Sequence, residues 1–266
     1  MNPSLPIDAT LPDLLAALAA SPSAVLQAPP GAGKTTRVPL ALLDAAWLGD
    51  GRIIMLEPRR LAARAAAAFM ARLLGEDVGG TVGYRVRLDT RVGPRTRIEI
   101  VTEGVLTRML QEDPSLDGVG AVIFDEFHER SIHADVGLAL ALQTQSLLRP
   151  DLRLLVMSAT LDGAAVAALL GGAPIVSSEG RSFPVETVYR ATAVDGHIEP
   201  AVAATVRAAL DRHDGDVLVF MPGTAEIRRT AERLAELGVP AGVEVMPLFG
   251  DLPQHEQDRA IAPSPP

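Results

Sequence analysis

Lys34 is the one lysine of this chain, and the other 23 of its 24 basic residues are Arg. It lies in the segment Ala28-Pro29-Pro30-Gly31-Ala32-Gly33-Lys34-Thr35-Thr36. A compact ammonium can sit between two phosphate groups as a point charge, where a planar guanidinium is too wide. The segment fits the phosphate-loop pattern G-x-x-x-x-G-K-[ST], with Ala28 in place of the first Gly. In that frame the backbone N–H groups of Gly31, Ala32 and Gly33 cradle phosphates. Lys34 reaches the β- and γ-phosphates, and the Thr35 hydroxyl ligates Mg²⁺. A plain Gly/Pro turn is the simpler use of such residues, but it does not require the Gly-Lys-Thr ending.

About 90 residues further on, the uncharged run Ala121-Val122-Ile123-Phe124 ends in Asp125-Glu126-Phe127-His128. Two carboxylates at the C-terminal end of a strand lie where doubly wound sheets place their ligands. In a protein that also carries a phosphate loop, Asp125 holds Mg²⁺ through the metal's water shell, and the neighbouring Glu126 orients or deprotonates an attacking water. Taken alone, the pair reads equally as solvated charge at a strand end. His128 taken alone is a weak signal, since a single His is more often structural.

These residues need a scaffold, and the apolar pattern supplies one. Ala24–Leu26, Ile53–Leu56, Val82–Val86, Ile98–Val101, Ala121–Phe124, Leu154–Met157 and Ile175–Ser177 read as short buried strands. Helical patterns lie between them, at residues 36–46, 61–74, 104–111, 134–148 and 164–170. Pro39 is expected in the first turn of its helix. Near-continuous apolar strands alternating with helices predict an α/β fold, a doubly wound parallel sheet covered on both faces. The turn-rich stretch through Gly180-Arg181-Ser182 sets a boundary, giving domains at 1–183 and 184–266. In the second, the alternation restarts: strands at 185–189, 217–220 and 243–248, and helices at 198–212, 224–237 and 254–261. With three strands it reads as the start of a domain.

The 266 residues are 48% apolar and only 3% aromatic, so Ala, Leu and Val must fill the core. The absence of Cys excludes disulfides and thiolate metal sites. No apolar run approaches the ~20 residues of a membrane helix. Leu14–Ala20 imitates a signal peptide, but Asp8 and Asp13 precede it and the first basic residue is Lys34; a cytoplasmic protein without membrane contact is expected. A net charge of −9 argues against a general nucleic-acid binder. Between Arg52 and Arg108, however, eleven Arg face six acids. That stretch reads either as a polyanion groove or as solvated helix faces.

Asp125-Glu126-Phe127-His128-Glu129-Arg130 resembles the signature of the DEAH-box branch of superfamily 2 helicases, and other segments follow in the order of that family. Pro58-Arg59-Arg60-Leu61-Ala62-Ala63 resembles motif Ia, Val82-Gly83-Tyr84-Arg85-Val86-Arg87 the VGYxxR stretch, and Thr102-Glu103-Gly104 motif Ib. Ser158-Ala159-Thr160 resembles motif III, Leu218–Gly223 motif IV, and Leu248–Pro253 the segment before motif V. The Phe in DEFH and the form of motif Ia are most similar to the bacterial HrpB group of RNA helicases.

The resemblance implies one complete RecA-like domain and the start of a second, closing around ATP and Mg²⁺ with RNA across both. It implies that Glu126, Lys34 and His128 serve hydrolysis, that Ala28 to Thr36 bind the nucleotide, and that Thr35 and Asp125 hold the metal. Arg59, Arg60, Thr102 and Gly104 would contact RNA, while Ser158, Ala159 and Thr160 would couple the two sites. Some relatives place a base-stacking Arg where Phe69 stands; Phe69 could stack instead, and packing into the core is the expectation. Motif V and the Arg-rich motif VI with its arginine finger do not follow Pro266, so the chain is expected to be an N-terminal portion.

Three activities compete. The first is an RNA-dependent NTPase that unwinds a duplex with a single-stranded tail, 3′→5′, as a monomer. The second is a module that binds Mg-NTP and single-stranded RNA without turnover. The third is a phosphate-loop ATPase driving something other than nucleic acid, against which motifs Ia and Ib speak. NTPs other than ATP stay open, since no segment before the loop clearly reads an adenine edge.

Overall fold

A computed structural model describes residues 4–159, 163–180, 184–190, 194 and 196–262. Thr160 and the boundary at Arg181-Ser182 lie outside the described residues. The chain divides into two units, Met1–Pro184 and Val185–Pro266.

The first unit is built on one eight-stranded sheet. In chain order its elements are α1 (Leu11–Ala20), β1 (Ser23–Gln27), α2 (Lys34–Leu42), β2 (Arg52–Leu56), α3 (Arg60–Leu73), β3 (Val82–Val86), β4 (Asp89–Arg91), β5 (Ile98–Val101), α4 (Glu103–Glu112), β6 (Val119–Phe124), α5 (Ile132–Leu147), β7 (Arg153–Ser158), α6 (Gly163–Leu169) and β8 (Ile175–Ser177). The strand order is β4-β3-β5-β2-β6-β7-β1-β8. All pairs are parallel except the β3–β4 hairpin at one edge.

Each interior strand sends alternate residues to opposite faces, as the pleat demands. Leu26, Ile53, Met55, Ile123 and Met157 pack beneath Leu14, Val38, Ala63 and Met70 from α1, α2 and α3. Val25, Ile54, Leu56, Phe124 and Val156 meet Leu106, Leu138 and Ala167 from α4, α5 and α6 on the other face. With so few aromatics, the core-facing stripe of α3 is made of Ala63, Ala66, Ala67, Met70 and Ala71, and small side chains let that helix lie close to the sheet.

The second unit contains α7 (Glu199–Leu210), α8 (Thr224–Leu237) and α9 (Gln254–Ile261). Ala203, Val206 and Leu234 form its small core between α7 and α8. The strands expected at 185–189, 217–220 and 243–248 are not present among its described residues. A strand exists by exchanging backbone hydrogen bonds with a neighbour; among the described residues these apolar segments form no such ladder, and Leu218 and Phe220 stand 78% and 88% exposed. Two smaller departures lie in the first unit. Helix α2 begins at Lys34, so Pro39 is its sixth residue rather than part of the first turn. Phe69 stays out of the core, 38% exposed beneath the Arg72 guanidinium, because the core-facing stripe of α3 runs through the alanines.

Candidate nucleotide and RNA site

The motifs that lie scattered along the chain form one row at the carboxyl ends of the strands. In sheet order, β5 ends at Thr102, β2 at Glu57–Arg60, β6 at Asp125–His128, β7 at Ser158–Ala159 and β1 at the glycine-rich loop. Neighbouring strands lie about 5 Å apart, so the row spans roughly 20 Å.

The loop runs from β1 into the N-terminus of α2. Gly31 and Gly33 hold φ of 76° and 97°, a region closed to most side chains. A Cβ on Gly33 would also meet the Leu5 side chain at 2.6 Å. The loop is braced from outside its own motif: Ile7 N–H donates to the Ala32 carbonyl at 3.1 Å, and Ala28 N–H to the Ser158 carbonyl at 3.0 Å. Ile7 lies in a tight turn at Pro6–Ala9 that leads into α1. The sequence pattern had suggested this region only as a signal-peptide imitation; its buried Ile7, Leu14 and Leu18 are the trace of its packing role.

Lys34 is the first residue of α2 and is buried. Its Nζ lies 2.6 Å from Glu126 Oε1. Next to it, the Thr35 hydroxyl donates to Asp125 Oδ2 at 2.5 Å. Burial pushes the Asp125 carboxyl up to about 6, against the opposing pull of the Thr35 hydroxyl and the Lys34 charge. A buried carboxylate beside a hydroxyl and a phosphate loop is a hard-oxygen donor set suited to Mg²⁺, which takes one or two protein oxygens and keeps waters and phosphates as its other ligands. Among the described residues no cluster of three His, Cys, Asp or Glu could hold a metal by protein ligands alone.

After Asp125 the chain turns sharply. Glu126 has φ 49° and Arg130 φ 48°, so two non-glycine residues in left-handed backbone bracket the short turn Phe127–Glu129. Phe127 anchors it, packing edge-on against Phe124 with ring centroids 6.2 Å apart. His128 then reaches both ways. Its Nδ1 accepts from Ala159 N–H at 3.3 Å, and its Nε2 lies 3.4 Å from Glu126 Oε2. Accepting at Nδ1 places the proton of a neutral ring on Nε2, toward Glu126. His128 thus joins Ala159 to Glu126; Ser158 closes β7, buried beside β1.

On the other half of the row, Arg59 precedes α3 and its side chain is 70% exposed. Arg60, at the start of α3, is also exposed. Thr102 precedes α4 without a capping bond from its side chain, and Gly104 faces open space. Several other Arg of the stretch are committed to partners, while Arg87, Arg91 and Arg95 lie exposed. Arg52 and Arg85 bracket buried Glu99, Arg64 pairs with Asp89, Arg108 pairs with Glu112, and Arg97 donates to the Gly49 and Gly51 carbonyls.

One buried group escaped the sequence reading. Glu57 is only 4% exposed at the end of β2, and its backbone N–H donates to the Val101 carbonyl at 2.9 Å. Burial first, then the charges of Asp125 and Glu126, push its carboxyl up to about 8. The signal in the sequence was an acid continuing an apolar strand, Met55-Leu56-Glu57, directly before Pro58.

The glycine-rich loop, the acidic strand end and the row they share define a phosphate-loop protein of the helicase type. The DEAD/DEAH box helicase family model matches residues 9–169, and the chain belongs to that family. It is 52% identical over 98% of its length to the ATP-dependent RNA helicase HrpB of Escherichia coli (strain K12). It is 32% identical over 91% to the ATP-dependent RNA helicase HrpA of Borreliella burgdorferi. The crystal structure of Escherichia coli DEAH/RHA helicase HrpB superposes on 98% of the chain with a TM-score of 0.91 at 52% identity. The sheet is therefore the RecA-like sheet of those helicases. The chain spans about a third of the length of these relatives: 32% of HrpB and 30% of HrpA.

Proposed function

We propose that this chain carries the nucleotide-hydrolysing domain of an ATP-dependent RNA helicase, which grips one RNA strand along the same row of strand ends. The observation that carries the reading is the paired contact of Lys34 with Glu126 at 2.6 Å and Thr35 with Asp125 at 2.5 Å, one strand away from Arg59. In this reading Gly31, Ala32 and Gly33 bind phosphate oxygens through backbone N–H groups, and Lys34 balances the β- and γ-phosphate charge. Thr35 and Asp125 hold Mg²⁺, which supplies charge neutralisation at the transferred phosphoryl group. Glu126 orients the attacking water and accepts its proton. His128 keeps Glu126 in place and ties it through Ala159 to the end of β7 at Ser158.

Arg59 and Arg60 grip RNA phosphates, where guanidinium forks suit the oxygens, and Thr102 and Gly104 contact the same strand. The substrate is single-stranded RNA or a duplex with a single-stranded tail, translocated 3′→5′ by a monomeric cytoplasmic protein; ATP is the expected nucleotide, with other NTPs accepted.

A narrower reading for the isolated chain is binding without turnover. It is favoured by the second unit, whose described residues build helices but no strand ladder. Phosphate release with and without single-stranded RNA separates the readings. RNA-stimulated release that Lys34→Ala abolishes supports the helicase reading. Nucleotide binding with background release supports the narrower one. Release indifferent to RNA removes RNA from the account.

A further inference from the structure

The turn after β6 holds two cations of the row, Lys34 and Arg59. Glu126 at one end takes Lys34 at 2.6 Å, and Glu129 at the other takes Arg59 Nη2 at 2.5 Å. Each carboxylate thereby sits where the proposed function seats a phosphate oxygen, one of the nucleotide and one of RNA. Only Phe127 and His128 separate the two acids. The residues that bracket the turn, Glu126 and Arg130, are both in left-handed backbone, a conformation held by its surroundings rather than by its own preference.

Arg59 is also held from behind, since its carbonyl accepts from Ala63 N–H at 2.9 Å as α3 begins. Its backbone is thus anchored while its guanidinium can change partner. A cavity of about 230 Å³ bordered by Pro58, Arg59, Glu126, Glu129, Arg130 and Ser131 leaves room for the Glu129 side chain to swing away.

We propose that Glu129 is a positioning residue that couples RNA to the nucleotide. An RNA phosphate takes Arg59 from Glu129, the turn loses one of its two ion pairs to the cations Lys34 and Arg59, and Glu126 is freed to give up Lys34 to the nucleotide's phosphates. This rests on the reading of Arg59 as an RNA contact. No bond is made or broken; a charged partner is exchanged at each end of one short turn.

The test is a cycle of Glu129→Gln, Arg59→Ala and the double variant, read with a fluorescently labelled oligouridylate and with a fluorescent ATP analogue in Mg²⁺. Exposed ion pairs are worth ~0.2–1 kcal/mol, so Glu129→Gln is expected to tighten RNA binding by up to roughly fivefold at low salt. That gain must vanish when Arg59 is already Ala, whereas mere removal of a negative charge would persist there. RNA should tighten nucleotide binding by the wild type and do so less for Glu129→Gln, whose tether is already loosened. RNA affinity unchanged or weakened by Glu129→Gln, or an equal effect of RNA on nucleotide binding in both proteins, overturns the proposal. An Arg59→Ala variant that binds RNA as well as the wild type overturns the RNA contact beneath it and is distinguishable from those results.

Discussion

The two halves of the strand-end row are built by opposite rules. At β1 and β6, Lys34 and Asp125 are buried and held by Glu126 and Thr35 at 2.5–2.6 Å. At β2 and β5, Arg59, Arg60 and Gly104 lie exposed, and Arg59 has one carboxylate partner at the surface. A small, densely charged triphosphate calls for preorganised donors in a dry cradle, where electrostatics are strong. A polynucleotide bound irrespective of sequence calls for accessible charge that can slide from phosphate to phosphate. Substitutions in the first half should therefore act as losses of orders of magnitude, and those in the second as graded, salt-sensitive changes.

The largest effect is expected for Glu126→Gln, which keeps the shape of the site and removes the proton acceptor. Under the helicase reading, RNA-stimulated phosphate release by the complete enzyme should fall ~10²–10⁴-fold, while equilibrium binding of the nucleotide stays close to wild type. Lys34→Ala should follow, with nucleotide binding and release both reduced, release by about 10²-fold or more. A comparable loss from Arg60→Ala would erase the distinction between the halves. Arg59→Ala should weaken single-stranded RNA by a factor of several, alike for all sequences, and reduce the slope of log K against log salt by about one. An unchanged slope would place Arg59 outside the groove.

How much of this was legible in the sequence differs between the halves in the same way. The nucleotide cradle is written locally, in Gly31 to Thr35 and Asp125-Glu126, because a tight turn, a helix N-terminus and a strand end each leave their own residue types. The interior strands were legible to within two residues, since burial on both faces leaves continuous apolar runs. The braces were not. Leu5 and Ile7 support the loop from ~25 residues away, and Arg59 meets Glu129 across 70 residues; no local pattern encodes either. The basic excess from Arg52 to Arg108 was not resolved by counting, because Arg52 and Arg85 serve buried Glu99 and Arg97 serves backbone carbonyls while others stay exposed. The strands expected after residue 184 show the limit most plainly: apolar alternation gives a segment the capacity to be a strand, but a ladder partner has to be supplied elsewhere.

Glu57 links the halves, and it supplies the smallest prediction. Its carboxyl is raised from 4.5 to about 8 by burial and by Asp125 and Glu126. A raised carboxyl favours the folded state when protonated. Its contribution is therefore fully present below about 4.5 and is lost as pH rises through 8. Glu57→Gln, which cannot ionise, should melt higher than wild type by roughly 5 °C at alkaline pH and match it in mild acid, with calorimetry as the check. An equal difference at both ends of that range would mean that the effect is packing, not charge.

The central claim is that Lys34, Thr35, Asp125 and Glu126 converge on one triphosphate. A crystal structure of the chain with Mg²⁺ and a non-hydrolysable ATP analogue tests it most directly. The account predicts the γ-phosphate against Lys34, with the metal between Thr35 and Asp125 and Glu126 facing the terminal phosphorus. A nucleotide bound away from the glycine-rich loop, or a metal held without Asp125, would contradict it.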